Sequence, residues 1–400
     1  MKCPICASTA SGAAPELEVF FEMAAVPVFC NVLHDSPEKA RSTTRGDIRL
    51  GWCADCGMIH NVAFDPALVE YVEGYENSLH CSPKFQEFAE ELADRLVEKY
   101  QLKDATVIEI GAHRGEFLEL LCAEGRNRGL GYDPSSPEEL CEVVGRPFQL
   151  RTDFFEPGMV DGDVGLFLTR HVLEHVTDPV AFVRLMLDAA KRGGDSAVYV
   201  EVPNGLWTLR DLGIWDIIYE HCSYFVPTAL RRCFASHDGD PHVRETFGGQ
   251  FLSAEVPTGD DAPRTEEEDA GDLPKIAEYV EAFTGAYQER TDYWRTELEK
   301  LAEADDGLAI WGAGSKGVTF LNILAGQGET AAASAIRGVV DINPLKQGKF
   351  VAGTGHEIIG PSGVIDRRVK RVIAMNPLYL GEIREMLEKL GYTGTVEAIG

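Results

Sequence analysis

Two stretches of this 400-residue chain concentrate side chains that can move protons. The first is Arg170-His171-Val172-Leu173-Glu174-His175, directly after a strand-like run that ends at Thr169. His171 and His175 lie four residues apart and share one face if the segment is helical. The string H-x-x-E-H also matches an inverted zinc-protease motif. Its position on the rim of a nucleotide-type sheet, with no third ligand identified, argues against that chemistry. The second stretch, Ile218-Tyr219-Glu220-His221-Cys222-Ser223-Tyr224-Phe225, follows an Asn204-Gly205-Leu206-Trp207 loop that leaves the strand end Glu201-Val202-Pro203. It can therefore return over the same crevice. A neutral histidine is a competent base near pH 7, so His221 is a candidate general base beside Glu220, with His175 and Tyr224 nearby. A histidine with a purely structural role is the alternative for His221.

Four of the ten cysteines form two tight pairs, Cys3-Pro4-Ile5-Cys6 and Cys53-Ala54-Asp55-Cys56. Each C-x-x-C can aim two thiolates at one ion, and two such knuckles complete a tetrahedral sulfur shell. Four thiolates leave no open position for water, so a zinc ion there would be structural. Unligated thiols are the alternative. A redox pair would have to follow a strand and open a helix, which neither motif suggests.

Two glycine loops offer cradles for ligands. Glu109-Ile110-Gly111-Ala112-His113-Arg114-Gly115 has the form E-x-G-x-x-x-G after an apolar strand Val107–Ile110. Gly111 permits a tight turn and close ligand approach, and Gly115 lets the next helix start close to the sheet. Asp133 stands at the next strand end, eighteen residues beyond Gly115, where a carboxylate can accept ribose hydroxyls. Asp153 and Phe154 follow a third strand and can flank an adenine. The carboxylate inside the strand, and the departure from G-x-G-x-x-G at His113, favour S-adenosylmethionine over NAD. The second loop, Gly312-Ala313-Gly314-Ser315-Lys316-Gly317, fits G-x-G-x-x-G better, with Asp341 24 residues beyond Gly317. It is open to three readings: an NAD site, a cradle for a substrate diphosphate with Lys316 as donor, or a structural turn. Methyl transfer to oxygen needs at most one base. Transfer to carbon needs a base beside a polarised carbonyl and a group that stabilises the enolate, roles the histidines, glutamate and tyrosines can fill.

These residues need a scaffold. Length implies two or three domains. Strands near 107–110, 132, 164–169 and 197–202, separated by helical stretches, indicate an α/β fold: a Rossmann-like, mostly parallel sheet with helices on both faces. Ser82-Pro83 should open a helix carrying Phe85, Phe88, Ala89, Leu92 and Leu96 on one face. The run Asp260–Asp272 reads as an exposed acidic loop, and residues from Leu273 to Ala304 as a long bridging helix. The expected domains are 1–75 (zinc-binding), 76–235 (cofactor-binding), 236–305 (linker with acidic insertion and long helix) and 306–400 (a second Rossmann-like unit). A formal charge of −28 disfavours nucleic-acid binding. No run reaches the ~18 apolar residues of a membrane span, and Met1-Lys2-Cys3-Pro4 does not begin a signal peptide. The expectation is a cytoplasmic enzyme with a small-molecule substrate, as monomer or dimer.

Taken in order, the cysteine pairs, E-I-G, L-E-H-V-T-D, Y-E-H-C-S-Y-F, and G-A-G-S-K-G with V-D-I-N-P-L-K-Q-G-K resemble the zinc-containing sugar C-methyltransferases, which methylate C3 of nucleotide-linked 4-keto deoxysugars. The resemblance covers nearly the whole chain, less between about 234 and 305. It implies a structural zinc domain that helps cover the substrate, a middle domain for the methyl donor, and a last domain contributing to the sugar-nucleotide site. It puts the catalytic base at His221, next to Glu220, with His175 after the fourth strand and Tyr75 in the tyrosine region Tyr71–Asn77. The implied mechanism is enolate formation by His221 and attack of the carbon on the methyl group. The chain departs from the family at Ile218 and Asn77, where tyrosines are common. O-methylation of a sugar or small metabolite, or an NAD-using sugar enzyme, is the alternative function.

Overall fold

The structure is a computed structural model that describes residues 1–9, 14–69, 74–194, 196–235, 239–256, 273–304, 306–324 and 334–399. The acidic run Asp260–Asp272 and Tyr71 lie outside the described residues.

The N-terminal sheet contains β1 (Glu18–Pro27), β2 (Arg45–Trp52) and β3 (Ile59–Asn61), each antiparallel to the next. The central strands are β4 (Thr106–Ile110), β5 (Arg128–Tyr132), β6 (Phe148–Arg151), β7 (Leu166–Arg170) and β8 (Ala197–Pro203). A two-residue strand, β9 (Ser223–Tyr224), leaves this domain and joins the N-terminal sheet as its fourth strand, after β3. Then β10 (His242–Thr246) and β11 (Phe251–Val256) complete a seven-stranded central sheet of order β10-β11-β8-β7-β4-β5-β6. Only β11 runs antiparallel, against both β8 and β10. Residues 242–256 therefore belong to the central domain and not to the linker expected over 236–305.

All five residues of β7 and the first six of β8 are buried, as strands covered on both faces must be. The chain steps from β4 through β5 to β6 on one side and returns at β7 on the other, so strand order reverses between β4 and β7. A ligand crevice is expected beyond the strand ends at such a reversal. Ser82 caps the following helix, Pro83–Lys99, by accepting from the Phe85 amide at 3.2 Å, and Pro83 occupies the first turn. Phe85, Ala89, Leu92 and Leu96 are buried on its inner face.

The C-terminal unit is a five-stranded parallel sheet of order β14-β13-β12-β15-β16: β12 (Gly307–Trp311), β13 (Ile336–Val340), β14 (Ile358–Ile359), β15 (Val369–Ala374) and β16 (Thr395–Ala398). The helix Leu273–Glu303 bridges domains. Phe283 packs edge-on against Phe20 and Phe21 of β1, and Trp294 against Phe320 of the C-terminal unit. Phe283 is fully buried, which contributes about 1.5–3 kcal/mol relative to exposure. Among the described residues no helix is long and apolar enough to cross a membrane.

Candidate active site

Cys3, Cys6, Cys53 and Cys56 come together, all buried, with every sulfur within 4.8 Å of the others. Cys3–Cys56 and Cys6–Cys53 are 3.5 and 3.8 Å apart. A zinc–sulfur distance of about 2.3 Å gives a tetrahedron with edges of about 3.8 Å, so the four thiols fit a zinc ion. Cys3 precedes a helical turn with no strand before it, and Cys53 follows β2 but leads into a turn and not a helix, so neither pair has the strand-to-helix setting of a redox motif. The mutual spacing of four sulfurs favours the metal instead. The Cys53–Cys56 knuckle is also the β2–β3 turn, closed by Cys53 N–H to Met58 carbonyl and Gly57 N–H to Cys53 carbonyl, both 2.8 Å.

That turn matters because β3 holds β9. Ile59 pairs with Tyr224 and His60 with Ser223, while Asn61 N–H donates to the Cys222 carbonyl at 2.9 Å. On the other flank Gly205 N–H donates to the Phe225 carbonyl at 2.7 Å. His221 is thus clamped between the N-terminal sheet and the end of β8. Its ring lies edge-on to His175, with centroids 4.9 Å apart. His175 Nδ1 is 3.0 Å from the Glu220 carbonyl, which can only accept, so Nδ1 carries the proton. Burial, then the charge of His175, pulls the His221 imidazole down to about 3, leaving it neutral at physiological pH. Burial pushes Glu220 up to about 8, so it holds its proton there. Cys30 N–H reaches Glu220 Oε2 at 3.4 Å. Tyr75 lies against Glu220; burial, followed by that charge, raises its hydroxyl well above the ordinary value.

One sequence assignment changes. Tyr224 is not free for substrate: its hydroxyl donates to the Ile218 carbonyl and accepts from the Ile218 N–H, both at 3.0 Å, closing the turn that carries His221. Tyr219 points away, stacked on Phe64 and accepting from Asp65 N–H at 2.8 Å.

Behind His175 and His221 lies a buried charge network whose pairing the sequence does not reveal, although Arg170, His171 and Glu174 fall in its first proton-moving stretch. Arg170 pairs with Glu201 at 2.8 Å, and Tyr199 donates to Glu201 at 2.9 Å. His171 bridges Glu201 (3.3 Å) and Glu174 (3.6 Å) with a left-handed backbone, φ 56°. Burial opposes its charge, but the bonds to Glu174 and Glu201 win and raise it to about 9. Burial favours a protonated Glu201, yet Arg170 holds it down at about 2. The H-x-x-E-H spacing of His171 and Glu174 is legible in the sequence; the pairing of this stretch with Glu201, 31 positions beyond Arg170, is not. Glu174, His175 and His221 bring donor atoms within 4.8 Å. At 4.0 Å the Glu174–His221 pair exceeds the edge of about 3.4 Å for ligands ~2.1 Å from an ion, so the cluster fits a proton network better than a metal cage.

The first glycine loop packs tightly on the segment that follows β7. Gly111 has φ 81°, and a Cβ there would meet Val172 Cγ2 at 2.1 Å. Asp133 accepts from His113 N–H (2.9 Å) and Ser135 N–H (2.7 Å), joining its strand end to the loop. Glu109 is buried beneath with Oε2 unpartnered, and burial raises it to about 8 against the pull of Arg170. Asp153 and Phe154 stand exposed beyond β6, Phe154 at 76%. An apolar ring left in water is consistent with flanking an adenine. These residues fit S-adenosylmethionine.

The second loop repeats the arrangement. Gly312 has φ 115°, Asp341 accepts from Ala313 N–H and Asn343 N–H at 2.9 Å each, and Gly314 approaches Asn31. Here, however, the buried Lys346 ammonium lies 3.8 Å from Asp341 and 3.3 Å from the Ala313 carbonyl. A cation on the acid disfavours a dinucleotide ribose at that carboxylate. Lys316 reaches back to the central domain, 2.8 Å from Asp216 and over the Trp207 ring, and its charge is felt by His221.

A family model described as a methyltransferase domain matches residues 84–238, and one described as a C-methyltransferase C-terminal domain matches residues 259–396. No curated protein matches the chain. Similar solved structures include a magnesium protoporphyrin IX methyltransferase from Synechocystis with bound S-adenosylhomocysteine (16% identity, 47% of this chain and 91% of that one, TM-score 0.33). Others are a 1,6-didemethyltoxoflavin N1-methyltransferase from Burkholderia thailandensis (15%, 44% and 80%, TM-score 0.32) and a SAM-dependent methyltransferase from Aquifex aeolicus (15%, 41% and 89%, TM-score 0.30). With both family models on one chain, the protein is an S-adenosylmethionine-dependent methyltransferase with a C-methyltransferase C-terminal domain.

Proposed function

We propose that this enzyme methylates a carbon of a nucleotide-linked keto sugar through an enolate, with His221 as the base. The His175–His221 pair at 4.9 Å carries the reading, because O-methylation has no use for two converging imidazoles and a protonated carboxyl. When bound, S-adenosylmethionine supplies an electrophilic methyl group, held by Glu109, Gly111, Gly115, Asp133, Asp153 and Phe154.

The neutral His221 takes the proton next to the ketone. His175 has its Nδ1 proton committed to the Glu220 carbonyl, so its Nε2 donates to an enolate oxygen only when protonated. Glu220 and Tyr75, both holding protons, are further donors for the carbonyl. Lys316 and the Gly312–Gly314 loop hold the diphosphate, for which Lys316 must leave Asp216. A zinc ion on Cys3, Cys6, Cys53 and Cys56 holds the N-terminal fold.

The test incubates the enzyme with methyl-labelled S-adenosylmethionine and a panel of nucleoside-diphosphate ketosugars, then locates the label by NMR. The expected product carries it on the carbon beside the ketone. Label on oxygen, or nicotinamide-dependent turnover instead of methylation, overturns the reading.

A further inference from the structure

We propose that Glu174 is the positioning residue for His221: its carboxylate accepts the Nε2 proton of the neutral imidazole, leaving Nδ1 as the atom that takes the substrate proton. The inference rests on His221 being the base.

Glu174 sits in the turn Leu173–His175 and is 1% exposed, yet neither carboxylate oxygen has a hydrogen-bond partner. Buried polar atoms are almost always satisfied; here His171 Nδ1 stands 3.6 Å from Oε1, an ion pair beyond hydrogen-bond length, so the carboxylate keeps acceptor capacity for a partner that closes in the working complex. The next donor is His221 Nε2, 4.0 Å from Oε1. Contacts of this kind are often long without substrate and tighten when it binds.

The groups behind Glu174 keep it ionised. Arg170, Glu201, His171 and Glu174 alternate in sign along a buried chain with links of 2.8, 3.3 and 3.6 Å. The four charges cancel, so the network is stable without borrowing a proton from His221. Facing His221 from other elements are the His175 ring, the Tyr224 ring edge and the charge of Lys316. With its proton on Nδ1, neutral His175 offers Nε2 as a second, uncharged acceptor; Glu174 is the charged acceptor in reach and is the one that holds the Nε2 proton of His221.

In the step this supports, the C–H bond beside the ketone breaks, its proton moves to His221 Nδ1, and its electron pair becomes the enolate. The Nε2 proton stays on the ring, now an imidazolium facing the Glu174 carboxylate.

The test uses the full chain labelled with 15N-histidine and loaded with S-adenosylhomocysteine, comparing wild type, Glu174→Leu, Glu174→Gln and His221→Gln. Long-range 15N–1H spectra should show His221 with its proton on Nε2 in wild type and a mixture of tautomers in Glu174→Leu. With a nucleoside-diphosphate 4-keto-6-deoxyglucose, deuterium wash-in from solvent should fall at least about tenfold in Glu174→Gln, with KM little changed, within the ~10²–10⁴-fold worth of a general base. An unaltered His221 tautomer in a folded Glu174→Leu protein overturns the positioning role and leaves the base reading standing. Wash-in that survives His221→Gln overturns the base reading itself, and with it this one.

Discussion

Glu109 illustrates how a cofactor loop can be tuned by one side chain that never leaves the sheet. It is buried on β4, and desolvation outweighs the attraction of Arg170, so its carboxyl rises from 4.5 to about 8. Between those values the folded protein keeps a proton that the unfolded chain has released. The associated stability is fully present below pH 4.5 and is lost as pH rises through 8. Glu220 acts in the same direction. His60 and His221, held down at about 4 and 3 by burial, act in the opposite one: their stability is present above 6.5 and lost as pH falls through those values. Glu109→Gln cannot ionise and keeps the shape, so the difference between variant and wild type isolates this group. The variant should gain on wild type in melting temperature steadily from pH 5 to pH 8. Parallel curves in scanning fluorimetry over that range would show that the buried carboxyl is not protonated.

At the scale of elements, the N-terminal sheet places His221, the base in the proposed function. A two-residue strand such as β9 has no stability of its own; its position comes from β3, and that of β3 from the turn at Cys53–Cys56. Removing zinc should therefore loosen His221 before it affects the cofactor loop, which rests on β4 and β5. Chelation is expected to abolish turnover, spare S-adenosylhomocysteine affinity as read by calorimetry, and be reversed by added zinc. Full turnover in folded, zinc-free protein would detach the base from the metal. The same hierarchy explains what could be read from the sequence. Ser82-Pro83 and the Phe85–Leu96 spacing are local signals that act within one helix, and the strand before Gly111 is a run of apolar residues ended by a glycine. By contrast, β10 is an edge strand with no buried residue, so it lacks the alternation that marks a half-buried strand. The pairing of β9 with β3 joins residues more than 160 positions apart, and no window on the sequence contains it. Tyr224 and Ile218 are only six residues apart, but that the Tyr224 hydroxyl is committed to the Ile218 backbone depends on the folded turn and not on the spacing.

At the scale of the whole molecule, one buried residue touches all three units, its backbone N–H donating to the Asn31 carbonyl of the N-terminal unit at 2.9 Å. Glu76 is 3% exposed in the segment between the zinc and central domains. Its Oε2 pairs with Arg114 of the cofactor loop at 3.2 Å, and its Oε1 accepts from Asn343, just past β13 in the C-terminal unit, at 3.1 Å. Both glycine loops are thereby indexed to the same group; under the proposed function this sets the methyl donor and the sugar nucleotide against one reference point. Removing one member of a buried, charge-assisted set leaves its partners unsatisfied and costs more than the contact contributes, here on the order of 1.5–3 kcal/mol per charged hydrogen bond. Glu76→Ala should lower the melting temperature and weaken cofactor and sugar-nucleotide binding together. Lys316→Met, confined to the substrate end, should raise only the KM for the sugar nucleotide. If Glu76→Ala instead affects one ligand alone, the three units are aligned by their apolar contacts, chiefly through Phe283 and Trp294 of the long helix, and Glu76 is a local pair rather than a common reference.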